Sequence, residues 1–316
     1  MKSLTRLLAL LYLSLSLRAD NIEVLKQASL ANVNALIILT TQDMLTSGRY
    51  TFDDDSSLHI INFPLYYHFD PLFSDFNLFL NGSAGYSKMA SDIDYGVKDE
   101  LIYQTAAFRF GGGIRYLSSF GLVFLVGFDF IYSRIRNTYH YNSAKSEEDL
   151  KELFDLAFAN QYSNAYTYEL FWQVGYRPVW AEWKPYIILT LNYFDTKQDL
   201  SLKELSAFHS TSGGSRLKIG FETPQYIKLF QTGLSAEFFV AGNVFKGDVE
   251  ETLGFEGYSS SAAMLHLYID NDFYGEVDEV LYNVPSLLSR VDLMVERVTG
   301  EGIQGYNIGL GAGFNF

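Results

Sequence analysis

The 316-residue chain contains no cysteine, which removes disulfides, thiolate metal sites and a lipoprotein anchor at once. It has only 6 prolines, and beyond its first residues it has no long apolar run. The longest, Phe120 to Phe128, is broken by Asp129 and falls far short of the ~18 residues a membrane-crossing helix needs, so a helical membrane protein is excluded. Cations are scarce as well: 23 Lys and Arg stand against 37 Asp and Glu, a net charge of -14 that argues against nucleic acid as a partner and against a polybasic membrane-surface binder. What the chain has in quantity is aromatic side chains (16%) and 25 glycines, at a mean hydropathy of +0.02. Strands that alternate apolar and polar residues give that average without a continuous greasy segment.

The N-terminus reads as an export signal: Lys2 and Arg6, an apolar run from Leu7 to Leu17, then Arg18-Ala19-Asp20, with cleavage placed after Ala19. Residues 20–30 carry Ile22, Leu25 and Ala28 at helical spacing and form a short lead that could help fill a lumen. The expected barrel occupies 31–316.

From Leu58 onward the period-two alternation is regular. In the last stretch Tyr306, Ile308, Leu310, Ala312, Phe314 and Phe316 point one way, and Asn307, Gly309, Gly311, Gly313 and Asn315 the other. Ten further segments repeat the pattern, beginning near Leu58, Phe76, Thr105, Leu122, Tyr166, Tyr186, Arg216, Leu234, Leu265 and Arg290. Polar loops are expected at 88–101 and 246–261, and short turns at Asp70-Pro71, Ser118-Ser119 and Thr223-Pro224-Gln225, the last closing its hairpin. In the insertion 137–164, Ser146-Glu147-Glu148-Asp149 has the spacing of a capping box, and Leu150, Leu153, Phe154, Ala157 and Phe158 follow on one helical face. Eleven strands are odd, and single-chain bacterial barrels are even. The twelfth is assigned to Ala31–Thr41, while the stretch through Ser47-Gly48-Arg49-Tyr50 reads as loop. The expectation is an all-β, antiparallel up-and-down transmembrane barrel of about twelve strands.

The charges decide between this and a soluble sandwich. Arg109, Arg115, Asp129, Glu169, Lys218, Glu222, Glu237, Asp292 and Glu296 all fall on the parity opposite the aromatic face. A mid-strand Arg or Lys in hydrocarbon would cost ~2–4 kcal/mol, so lipid is expected on one side and a polar lumen on the other. Tyr67, Tyr86, Tyr116, Tyr132, Tyr166, Tyr176 and Tyr193 would make the interfacial girdles. Twelve strands imply a narrow lumen, constricted by inward charges of both signs.

The terminal Gly311, Phe314, Phe316 spacing resembles the C-terminal insertion signal of bacterial outer-membrane barrels. The whole mature length, with its lead and strand count, resembles the solitary autotransporter-type β-barrel domains of Gram-negative outer membranes. That resemblance implies outer-membrane lipid, the barrel-insertion machinery and periplasmic chaperones as partners, and a translocator-like barrel without a passenger, acting as a narrow pore or an anchor. No enzyme activity, cofactor or metal is implied. The alternative is an outer-membrane hydrolase using His209 or His266, but His209 and Ser210 are adjacent on a strand and point to opposite faces. The clusters Asp53-Asp54-Asp55 and Asp270-Asn271-Asp272 offer oxygen ligands without an EF-hand pattern and read as solvated loops.

Overall fold

A computed structural model describes residues 45–314 except 53–56, 70–74, 95–97, 146, 149–161, 179–182, 200–207, 225–226, 230–231, 254–255 and 270–287. The chain forms one closed antiparallel sheet. Its strands are β1 (Leu45–Phe52), β2 (Ser57–His68), β3 (Phe76–Asp94), β4 (Lys98–Leu117), β5 (Leu122–His140), β6 (Tyr162–Tyr176), β7 (Lys184–Asp199), β8 (Phe208–Glu222), β9 (Ile227–Leu229), β10 (Thr232–Gly247), β11 (Gly257–Ile269), β12 (Leu288–Gly300) and β13 (Ile303–Phe314). Each pairs with its sequence neighbour, and β1 pairs with β13 to close the ring. The short β9 is not a separate stave. It carries β8 past a two-residue register step, from Glu237↔Glu222 to Leu234↔Ile227, so the barrel has twelve staves.

Burial alternates along each strand. On β6, Ala165, Thr167, Glu169 and Phe171 face inward, while Tyr166, Tyr168, Leu170 and Trp172 face outward and are exposed. Closure is what lets apolar side chains stay outside: each of the twelve staves is paired on both sides, so the outer surface needs only an apolar solvent. Tyr166 and Tyr176 lie ten residues apart on β6. At ~3.3 Å per residue and a tilt near 45°, they bracket roughly 23 Å, close to the ~25 Å apolar band of such barrels.

Several expectations change. The twelfth stave is β1, in the stretch read as loop, and the segment 31–41 assigned that role lies outside the described residues, as does the lead 20–30. The pattern of β1 is inverted, with Ser47 and Arg49 outward and Tyr50 buried in the lumen, so it carries no apolar outer face to recognise. The loop expected at 88–101 is mostly sheet, since β3 and β4 run on to Asp94 and from Lys98. The insertion begins after His140, not at 137, and ends at Tyr162. A strand that outgrows the bilayer meets water on its outer face, so the apolar alternation fades while the hydrogen-bond ladder continues. Thr223-Pro224 does not close its hairpin, which extends through β9. The region 246–261 holds the helix α1 (Asp248–Leu253) and the start of β11.

The expected loop helix starts earlier than Ser146: Ala144 and Lys145 are already helical, and the Glu147 amide donates to the Ser143 carbonyl at 3.1 Å. Its apolar face, 150–158, lies outside the described residues. Loop lengths also depart from strict alternation. The end of the barrel where β1 starts and β13 finishes, the near end, carries the long connection 270–287, whereas the far end includes the tight Glu301-Gly302 turn. There Gly302 adopts φ 84, a left-handed value that a side chain would strain.

Candidate functional site in the barrel lumen

Nine inward charges were expected, and the structure brings most of them into a few connected clusters. Arg109 on β4 is bonded through Nε and Nη2 to Asp129 on β5, and the same Nη2 reaches Glu169 on β6 at 3.2 Å. Asn81 on β3 donates to Asp129 at 2.9 Å, and Asn192 on β7 donates to Glu169. The arginine head lies 5.8 Å from the centre of the Phe171 ring. Asp129 and Glu169 are fully buried, so this cluster is a set of charges held in a solvent-poor interior by mutual pairing.

A second cluster spans β7 to β12. Lys218 pairs with Glu237 at 3.2 Å while its ammonium sits 3.8 Å from the Phe239 ring centre. Tyr186 donates to Glu237. His266 stands between two carboxylates, with Nδ1 2.6 Å from Asp292 and Nε2 3.2 Å from Glu237, and Arg290 pairs with Asp292 at 2.9 Å. Toward the near end, Glu222 gathers Lys184 at 2.9 Å, the Tyr268 hydroxyl at 2.9 Å and the Ser235 hydroxyl at 3.0 Å. Toward the far end, Glu296 accepts from Asn307 at 2.9 Å and meets Arg216 at 3.7 Å, and Tyr50 donates to Asn307 at 2.6 Å.

Arg115 takes a different position. It lines a near-end cavity of about 540 Å³ with Arg177, Lys184, Gln173, Tyr66 and Tyr176. Sequence reasoning missed Arg216, Arg177, Lys184, Arg290 and His266 as members of the network. Arg216, His266 and Arg290 share the polar parity of their strands and Arg177 continues that of β6, so parity could have found them; Lys184 is the first residue of β7, where too little of the alternation precedes it to assign a face.

Apolar side chains fill the lumen between and above these charges. At the far end Tyr50, Leu58, Ile60, Phe245, Val298 and Ile303 close around Val249 of α1, which is 0% exposed, with Phe52, Met89 and Tyr258 packed against them. The cluster draws on consecutive staves, from β10 through β13 and β1 to β3, so it covers one continuous half of the ring around Val249. Asp248 anchors α1 by accepting from the Thr211 amide at 2.9 Å, and Lys246 pairs with Glu250 at 3.1 Å. A second cluster, Ile131, Ile135, Ala165 and Phe194, packs on the inner wall of β5, β6 and β7.

The residues weighed for catalysis do not assemble. His209 is exposed on the outer surface, 3.0 Å from Asp195, and Ser210 is buried on the other face of the strand. Ser235 lies directly across from His266, but its hydroxyl goes to Glu222 while both ring nitrogens of His266 face carboxylates. Among the described residues there is no cluster of His, Cys, Asp and Glu arranged for a metal ion, and the two Asp clusters lie outside them. Of the insertion signal, Gly311 pairs with Asp292 and Phe314 ends β13 opposite Leu288, while Phe316 lies outside the described residues.

The fold is that of autotransporter translocator units. The β domain of the Bordetella autotransporter BrkA superposes with a TM-score of 0.58 at 10% identity, covering 86% of this chain and 96% of that one. The translocator domain of NalP from Neisseria meningitidis gives 0.54 at 10% identity, covering 95% and 99%. The transport unit of AIDA-I from Escherichia coli gives 0.50 at 9% identity, covering 90% and 98%. No curated protein matches the chain in sequence. Residues 30–261 match the family described as the solitary outer membrane autotransporter β-barrel domain, and the chain belongs to that family.

Proposed function

We propose that this protein is a non-enzymatic barrel of the Gram-negative outer membrane, with its near end toward the periplasm and its far end outside, and that it serves as a membrane anchor whose resting lumen does not conduct. The observation that carries this reading is the position of Val249, a helix residue fully buried at the far mouth in an apolar cluster drawn from half of the staves. An ion passing Tyr50, Ile60, Phe245 and Val298 would have to shed water against apolar side chains. Beneath the layer, the carboxylates that could line a cation path are already paired with Arg109, Lys218, Arg216 and Arg290.

The same geometry speaks against hydrolysis of lipid or peptide. A general base needs one ring nitrogen free toward a hydroxyl. His266 has both turned to carboxylates, and His209 lies on the outer face with Nε2 turned to Asp195.

Single-channel recording in planar bilayers tests the proposal. The full chain is expected to insert, as seen by heat-modifiable gel migration, and to show no conductance steps. Regular steps in the unmodified protein would make it a pore and overturn the anchor reading. Turnover of a lipid substrate that is lost in H266A would overturn the non-enzymatic one.

A further inference from the structure

Most charged groups of the lumen are paired, whereas several exposed cations of the outer face have no ion pair among the described residues, and two of them share one aromatic ring. Arg134 and Arg136 are exposed, outward residues in the far half of β5. Both guanidinium heads lie against a single ring, that of Tyr162 at the far end of β6, at 4.3 Å and 5.5 Å from its centre. Lys88 on β3 belongs to the same row of cross-strand partners, Lys88↔Gln104↔Arg136↔Tyr162, two strand spacings or about 10 Å from Arg136. Among the described residues none of the three has a carboxylate within ion-pairing distance. By register, Glu100 on this face stands opposite His140, four residues beyond Arg136. In a chain with 37 acidic residues, leaving two guanidinium groups on one tyrosine without a counter-charge points to an anion supplied from outside.

The surroundings say what carries that anion. One alternation below Arg134 the outer face becomes aromatic, with the cross-strand pairs Phe108↔Tyr132 and Tyr132↔Tyr166, and below those Phe110, Phe130 and Tyr168. The cations therefore sit at the upper edge of the apolar band, where long basic side chains turn toward headgroups. Guanidinium forks match phosphate oxygens, and acyl chains would run down over the aromatic surface directly beneath.

We infer that Lys88, Arg134 and Arg136, braced on Tyr162, form a binding site for a phosphorylated lipid headgroup in the leaflet that meets the far rim. The site rests on the membrane placement proposed above, with the far end outward.

Native mass spectrometry of the detergent-purified full chain, with diphosphoryl lipid A as the probe and its dephosphorylated form as control, tests it. The parent should retain the phosphorylated lipid and not the control. R134Q/R136Q should bind about thirtyfold more weakly, as the loss of two cations near an anionic lipid implies. K88Q, which leaves the tyrosine stack intact, should lose about fivefold. Equal retention by parent and either variant would overturn the site, and so would displacement of the lipid by an equal concentration of inorganic phosphate, which would mark a free-anion site instead. Failure of the membrane placement would show separately, as a chain that stays soluble without detergent before any lipid is added.

Discussion

Arg109 and Glu169 stand on strands that are not neighbours, yet the guanidinium of one reaches the carboxylate of the other at 3.2 Å, across β5, while also holding Asp129. One cation thus answers two fully buried anions. Replacing it with methionine would leave both without their partner, and breaking a buried ion pair from one side costs about 3–5 kcal/mol. R109M is expected to lower the unfolding free energy of the barrel in detergent, read from urea titration, by that amount. The triple variant R109M/D129N/E169Q, which removes the charges together, should recover most of the loss. An unchanged midpoint in R109M would show that the cluster adds nothing to stability.

How this cluster was legible in sequence follows from its place on the strands. Arg109, Asp129 and Glu169 lie mid-strand, flanked by Phe108, Phe110, Phe128, Phe130, Tyr168 and Leu170, so the alternation alone assigns them inward. The same rule locates eleven of the twelve staves. It fails where the outer face is not apolar: at β1, whose Tyr50 points inward to Asn307, and in the far extensions of β3, β4 and β5. It also says nothing about which inward charges meet, because that depends on register. Val249 was hidden for a different reason. A six-residue helix in an acidic loop has no pattern long enough to show that one of its side chains enters the lumen.

Gly111 lies opposite Asp129 in the ladder, and the space for that carboxylate exists because Gly111 has no side chain. A Cβ there would stand 1.9 Å from the Asp129 oxygen and 2.2 Å from the Phe128 carbonyl. The carboxylate cannot retreat without leaving Arg109. G111A is expected to destabilise by about 1–3 kcal/mol, the usual cost of overpacking. In R109M/D129N/E169Q the same alanine should cost less, and equal costs in both backgrounds would show that the glycine serves the backbone contact alone.

The outer surface should punish charge according to depth. Val240 is outward and 57% exposed near the middle of β10, and Thr299 is outward and exposed at the far end of β12. V240R is expected to cost about 2–4 kcal/mol and T299R about 0–1 kcal/mol in lipid vesicles. In water the order would vanish, because both positions would be equally solvated. Equal costs in vesicles would place the bilayer elsewhere on the barrel.

The strongest consequence of the proposed closure at the far mouth concerns Val249. A carboxylate at that position would be buried without a partner in an apolar cluster, at a cost of several kcal/mol. Helix α1 has six residues and is tied down by the Asp248 contact to Thr211 and the Lys246–Glu250 pair, which is exposed and worth at most about 1 kcal/mol. Lifting α1 out is therefore cheaper than desolvating the charge, and the twelve-stave ring does not depend on α1 for any of its ladder. V249E is expected to fold, to keep heat-modifiable migration with a urea midpoint close to the parent's, and to show conductance steps in planar bilayers that the parent lacks. V249A should stay silent, since a smaller apolar side chain leaves the helix in place. A silent V249E that is as stable as the parent would mean that α1 is not what closes the lumen.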